Sequence, residues 1–177
     1  MNPYPIFLSL IITSRNDAKN LQKLLKGVCN KLRNWVSDHE LIVVDNASTE
    51  NDVEVLKALT SPNGLPNLQV YALTKEVDRD TATLVGLENA LGDFVVVFNP
   101  EEDDLSVLTQ MLEKAVTGSD VVFASNLLKP NQTFGYRIAN YFFNFMYKQF
   151  NGIDLAKEAP EYRVLSKRII NFILQHN

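Results

Sequence analysis

Short apolar runs alternate with amphipathic segments along most of the chain, and this alternation constrains the fold more than any other feature. Ile6 to Ile12, Leu41 to Val44, Leu68 to Leu73, Phe94 to Phe98 and Val121 to Ala124 each have the length and apolarity of a buried strand. Between them, Leu21, Leu24, Leu25, Val28 and Leu32 recur at helical spacing, as do Val53, Leu56 and Leu59, the stretch from about Arg79 to Leu91, and Leu105, Leu108, Leu112 and Ala115. Asn16 or Asp17 is a suitable N-cap for the first helix, and Ser61-Pro62-Asn63-Gly64 closes the second. Strand and helix alternating at this pitch predict an α/β domain with a mostly parallel central sheet and helices on both faces.

The 177 residues suffice for one such domain over 1–177, since a chain of this length buries roughly 70% of its unfolded surface. Composition excludes disulfide scaffolds, disorder and collagen-like repeats. The single Cys29 falls among Leu25, Val28 and Leu32 and reads as a core thiol in a reducing compartment. With 17 Lys plus Arg against 21 Asp plus Glu, the net charge of -4 argues against nucleic acid as a partner. Met-Asn-Pro-Tyr-Pro lacks the pattern of a secretory signal, and no apolar run approaches the ~20 residues that span a bilayer. The expected location is cytoplasmic, with contact at a membrane surface left open.

Ligands of open α/β sheets bind beyond the carboxyl ends of the strands. Three polar clusters occupy such ends: Thr13 to Asp17, Asp45 to Glu50, and Asn99 to Asp104. A rim of hydroxyls, amides and acids suits a nucleotide's base and ribose, with a divalent ion neutralising the phosphates. The seven glycines are each at least six residues apart, so neither G-x-G-x-x-G nor a Gly-Lys-Ser/Thr phosphate loop can be written. His39, just before a strand, and His176, next to last, are poor candidates for acid-base work. Carboxylates and Arg15, Arg79, Arg137 and Arg163 remain.

Leu10-Ile-Ile-Thr-Ser-Arg-Asn-Asp17 and Glu40-Leu-Ile-Val-Val-Asp-Asn-Ala-Ser-Thr-Glu50 resemble the opening of a family 2 glycosyltransferase with the GT-A fold. Leu73 to Asp80, Gly86-Leu87 and Ala90 to Glu101 resemble the polyprenyl-phosphate branch, which includes dolichol-phosphate mannosyltransferase. Tyr162 to Arg168, preceded by Asp154, is similar to that branch's Gly-Phe-Arg segment. The resemblance covers about residues 6 to 170. It implies transfer of a sugar from a UDP- or GDP-linked donor to an acceptor, with Mg or Mn bridging the diphosphate and a lipid phosphate as a possible acceptor. By the same resemblance Thr13, Arg15, Asp17, Asp45, Asn46 and Arg79 line the nucleotide pocket. Asn99 and Glu101 take the two ends of the Asp-x-Asp metal motif, and Arg137 and Arg163 grip phosphates of donor or acceptor. If the site is active, Glu102 or Asp103 helps position or deprotonate the acceptor, while a metal or Arg79 stabilises the leaving phosphate.

Several of these positions depart from the family pattern. Asn at 99 removes a charge from a hard-cation site, Pro100 is unusual at the centre of the motif, and Asp78-Arg79 sets a carboxylate where the diphosphate approaches. An inactive GT-A domain that binds nucleotide or scaffolds glycan assembly is therefore an alternative, with a nucleotidyltransferase as a third. Glu101, Glu102 and Asp103 could rebuild a displaced cation pocket, or Glu101 to Asp104 could form the solvated N-terminus of the next helix. Ser48 and Thr49 suit capping as well as ligand contact, and Arg79 and Arg163 could pair with nearby acids. A helix expected at about 134–150 gathers 8 of the 17 aromatic residues. It reads as core, yet Phe143, Tyr147 and Phe150, flanked by Arg137 and Lys148, also suit a membrane surface or a homodimer contact. A C-terminal helix is expected at about 166–175.

Overall fold

The computed structural model describes residues 3–124 and 162–175. The chain order is β1 (Tyr4–Ser14), α1 (Ala18–Trp35), β2 (Val36–Asp45), α2 (Glu50–Leu59), β3 (Leu68–Ala72), α3 (Arg79–Asn89) and β4 (Phe94–Val97). A 3-10 turn (Leu105–Val107), α4 (Leu108–Val116), β5 (Val121–Phe123), β6 (Arg163–Ser166) and α5 (Lys167–Gln175) follow. These residues belong to one compact unit, residues 1–124 with 161–177. The expected aromatic helix at 134–150 and Arg137 lie outside the described residues.

Six strands form one sheet in the order β3-β2-β1-β4-β6-β5. β1 pairs in parallel with both β2 and β4, and β2 with β3, whereas β6 runs antiparallel between β4 and β5. The central strands are apolar on both faces because both faces are covered. Leu8, Leu10 and Ile12 of β1 join Leu41, Val43, Val96 and Val164 in the core that includes residues of α1, α2 and α4. Ile11 joins Ile42, Val44, Val97 and Leu165 in the core shared with α3 and α5. Gly86 lets α3 approach β1, since a Cβ there would stand 2.6 Å from Ile11 Cγ2.

Three details differ from the sequence reading. β2 begins at Val36, so His39 lies inside a strand, 5% exposed, with Nε2 3.3 Å from Cys29 Sγ. Burial, then the charge of Arg33, lowers the His39 pKa. α3 ends at Asn89 rather than Leu91. β6 was not anticipated; four residues carry too little alternation to announce a strand, and its place is set by pairing across the sheet. Among the described residues no helix is long and apolar enough to cross a membrane.

Candidate nucleotide site

Because β1 continues to β2 on one side and pairs with β4 on the other, the carboxyl ends of β1 and β4 flank a switch point in strand order. A cleft of about 390 Å³ opens there. Its walls come from the end of β1 and the start of α1 (Thr13, Ser14, Arg15, Asp17, Asn20), from Asn46 after β2, from Arg79 at the start of α3, and from Asn99, Pro100 and Glu101 after β4. Leu21 and Leu24 supply an apolar side. Segments separated by up to 88 residues, from Thr13 to Glu101, thus meet at one end of the sheet.

Hydrogen bonds between loops hold this rim. Asn16 takes a left-handed conformation, φ 53°; its N–H donates to Ser48 Oγ at 2.8 Å, and its Oδ1 accepts from Thr49 N–H at 3.0 Å. Thr49 occupies the N-cap position of α2 without a side-chain capping bond, so Ser48 and Thr49 tie two loops rather than cap with their hydroxyls. Asp17 stands at the N-cap of α1, and its Oδ1 accepts from Asn20 Nδ2 at 2.5 Å. Arg15 pairs with Glu76. The Asn16–Ser48 tie escaped the sequence reading; Ser14, Asn20 and Pro100, which also line the cleft, lay in or beside its polar clusters.

Asn46 lines the cleft but spends much of its amide on the backbone. Its Nδ2 donates to Val77 O at 2.7 Å and its Oδ1 accepts from Val77 N–H at 3.0 Å, which fastens the segment before α3 to the end of β2. An amide makes both bonds, whereas an ionised carboxylate can only accept. Asp45 is 1% exposed and does not line the cleft; Oδ2 accepts from Ser48 N–H at 3.3 Å, and Oδ1 is buried without a partner.

The acid run after β4 is not a single cluster. Glu101 faces the cleft, while Glu102 is exposed and lines no part of it. Asp103 Oδ2 accepts from Asn99 N–H at 2.7 Å, and Asp103 faces a neighbouring groove against α1. Asp104 caps the 3-10 turn by accepting from Ser106 N–H and Oγ, and its pKa is lowered first by the Ser106 hydroxyl and then by the backbone. Asp78 likewise caps α3, accepting from Thr81 N–H at 2.9 Å and Oγ1 at 2.6 Å. These bonds lower its pKa, the hydroxyl first, and the carboxylate does not line the cleft. Glu102 and Asp103 thus do not line the cleft, whereas Thr13, Arg15, Asp17, Asn46, Arg79, Asn99 and Glu101 do.

A divalent ion between Asn99 and Glu101 would meet a poor set of donors. Asn99 is 8% exposed; its Oδ1 already accepts from Glu101 N–H at 3.2 Å, and this fixes the amide so that the buried, unpartnered atom is Nδ2, a donor. Among the described residues no three His, Cys, Asp or Glu gather to hold a metal. One carboxylate and one engaged amide oxygen do not fit a hard dication, which takes several oxygen ligands and binds more tightly with more charge. Cations are better supplied: Arg79 lines the cleft, and both Arg79 and Arg163 line a small recess beside it.

The family model for glycosyl transferase family 2 matches residues 9–174. An undecaprenyl-phosphate 4-deoxy-4-formamido-L-arabinose transferase of Pseudomonas fluorescens (strain SBW25) is 28% identical over 128 residues, covering 69% of this chain and 36% of the relative. The transferase of that name from strain ATCC BAA-477 is 24% identical, covering 98% of this chain and 51% of the relative. The chain therefore spans about a third to a half of the length of these relatives. Among solved structures, a Pyrobaculum calidifontis mannosyltransferase in complex with GDP-Man and Mn2+ superposes with a TM-score of 0.63 at 16% identity, covering 96% of this chain and 47% of that one. A Mycobacterium tuberculosis glucosyl-3-phosphoglycerate synthase in complex with Mn2+ and UDP-Glc gives 0.61 at 14%, covering 93% and 57%. The architecture is the GT-A fold that the sequence led us to expect.

Proposed function

Because the chain belongs to glycosyl transferase family 2, we propose that it moves a sugar from a UDP- or GDP-linked donor to a phosphate-bearing acceptor, with a polyprenyl phosphate as the favoured class. One observation carries this reading. The cleft at the switch point is lined by hydroxyls, amides and Arg79, the chemistry needed to hold a ribose and a diphosphate. The names of the relatives support the lipid-phosphate acceptor.

In this reading Thr13, Arg15, Asp17 and Asn46 bound the nucleotide end of the cleft, and Arg79 and Arg163 lie toward the phosphates. Asp45 sits beneath, shaping the Asn46 to Thr49 loop through Ser48. An oxygen of the acceptor phosphate attacks the anomeric carbon as the bond from that carbon to the diphosphate oxygen breaks. The leaving nucleoside diphosphate keeps the electron pair, and the arginines stabilise the charge that develops on it. A phosphate oxyanion is already deprotonated near neutral pH, so no strong general base is required. This agrees with Glu102 and Asp103 not lining the cleft. Arg137 remains a candidate for the acceptor phosphate.

The test is direct: incubate the protein with radiolabelled UDP- and GDP-sugars and undecaprenyl phosphate, and extract the lipid phase. Label transferred to lipid by at least one donor is the expected result. Failure of every donor, together with no thermal shift by UDP or GDP, would sink the reading and favour a scaffolding domain.

A further inference from the structure

The amide at position 99 is a donor where the family pattern has a carboxylate, and its surroundings follow suit. Val97 of β4 pairs with Arg163 of β6, and Val97 and Leu165 both join the core on the α3 side of the sheet. Asn99, two residues beyond Val97, shares a recess with Thr13, Arg79, Asp80, Thr83 and Arg163. Thr13, Arg79 and Asn99 also line the main cleft, so the recess adjoins it.

The recess holds about 10 Å³, close to the space of one oxygen-sized probe. Two buried donors on the residues around it have no partner: Asn99 Nδ2 and Arg163 Nε. Asn99 is more than nine-tenths buried, and Glu101 N–H on its Oδ1 prevents the amide from turning its oxygen inward. Buried donors without acceptors are uncommon, and two on residues around one recess call for an accepting atom there, from a water or a ligand. Both unpartnered atoms are donors, so the atom between them is an acceptor, and the guanidinium of Arg163 favours an anionic one. A dication in the same place would face an amide N–H2 and two guanidinium groups.

We propose that Asn99, Arg163 and Arg79 form a metal-independent seat for one phosphoryl oxygen of the nucleotide diphosphate. This rests on the reading of the cleft as a nucleotide-sugar site and adds how its phosphate charge is balanced. Replacing the family's Asp by Asn turns an acceptor for a bridging metal into a donor that bonds the phosphate itself. Arg163 contributes a guanidinium held on a strand, so little freedom is lost when it binds.

Isothermal titration with UDP, GDP and inorganic pyrophosphate, in EDTA and in Mn2+, tests the proposal. The affinity of the wild type should agree within about twofold between the two conditions. Asn99→Asp should weaken binding in EDTA by roughly tenfold or more and gain a dependence on Mn2+, as expected when a bond to a charged group is replaced by repulsion. Arg163→Lys, which keeps the charge and removes Nε, serves as an independent variant should Asn99→Asp prove unstable; it should weaken binding by about threefold to tenfold. Wild-type binding that requires Mn2+ would overturn the seat and leave the nucleotide site standing. Binding indifferent to both substitutions would mean that the recess holds only solvent, which also overturns it. No binding under either condition would remove the site and the seat together.

Discussion

Replacing Asn46 by Asp exchanges the amide for a carboxylate of nearly the same size, yet the structure says that it should harm the protein. Asn46 Nδ2 donates to Val77 O at 2.7 Å while Oδ1 accepts from Val77 N–H at 3.0 Å. A carboxylate keeps the second bond and strengthens it, but it sets an anionic oxygen against the Val77 carbonyl. Leaving a partly buried acceptor unpaired costs ~1–3 kcal/mol, and the charge-assisted bond to Val77 N–H returns about 1 kcal/mol. The net loss is therefore centred on about 1 kcal/mol within a range of about 0–2, which corresponds to roughly a 2–4 °C drop in Tm at the centre for a chain of 177 residues. Protonation lets the new carboxyl donate to Val77 O, so the folded state raises its pKa. That contribution to stability is present below the unfolded value of about 3.9 and is lost as pH rises through the folded value. The gap between variant and wild type should be largest near neutral pH and should narrow in acid, as followed by urea unfolding at several pH values. A variant as stable as the wild type near neutrality, or a gap that widens on acidification, would refute the reasoning.

Two glycines in helices should respond in opposite ways. Gly27→Ala meets nothing within 4 Å and should stabilise α1 by about 0.5–1 kcal/mol, whereas Gly86→Ala drives a Cβ to 2.6 Å from Ile11 and should cost roughly 1–3 kcal/mol, both read from thermal melts. Tyr162 packs edge-on against Phe98, and its buried hydroxyl has no partner; burial, then Asp103 and Asp104, raises its pKa. Tyr162→Phe should thus be neutral or stabilising by up to ~1 kcal/mol in denaturant titration. His39, with its pKa lowered, stabilises the fold fully above its unfolded value of about 6.5 and progressively less as pH falls below it. The acid sensitivity of the wild-type Tm in that range should diminish in His39→Gln, and an unchanged profile would count against the assignment.

The parts of this fold that were legible in the sequence are those whose physics is local. β1 and β2 read as strands because burial on both faces makes them apolar throughout, and α1 read as a helix because Leu21, Leu25, Val28 and Leu32 fall on one face. β6 depends on partners far along the chain and left little local trace. Within the site, the positions of Thr13, Asp17 and Glu101 follow from strand ends, which sequence reports well. The uses of Asn46, Asp78 and Asp103 do not. Val77 is 31 residues from Asn46, and whether Asp78 faces a ligand or caps α3 is decided by Thr81. Resemblance located the cleft, whereas hydrogen bonding decided which side chains are available to a ligand.

The central claim is that the switch-point cleft holds a nucleoside diphosphate. Amide chemical-shift mapping of the labelled protein during titration with UDP and with GDP tests it most directly. Perturbations gathered at Thr13 to Asp17, Asn46, Arg79 and Asn99 to Glu101 by at least one nucleotide are the predicted result. No perturbation by either nucleotide, or perturbations confined to residues away from the ends of β1 and β4, would contradict the account.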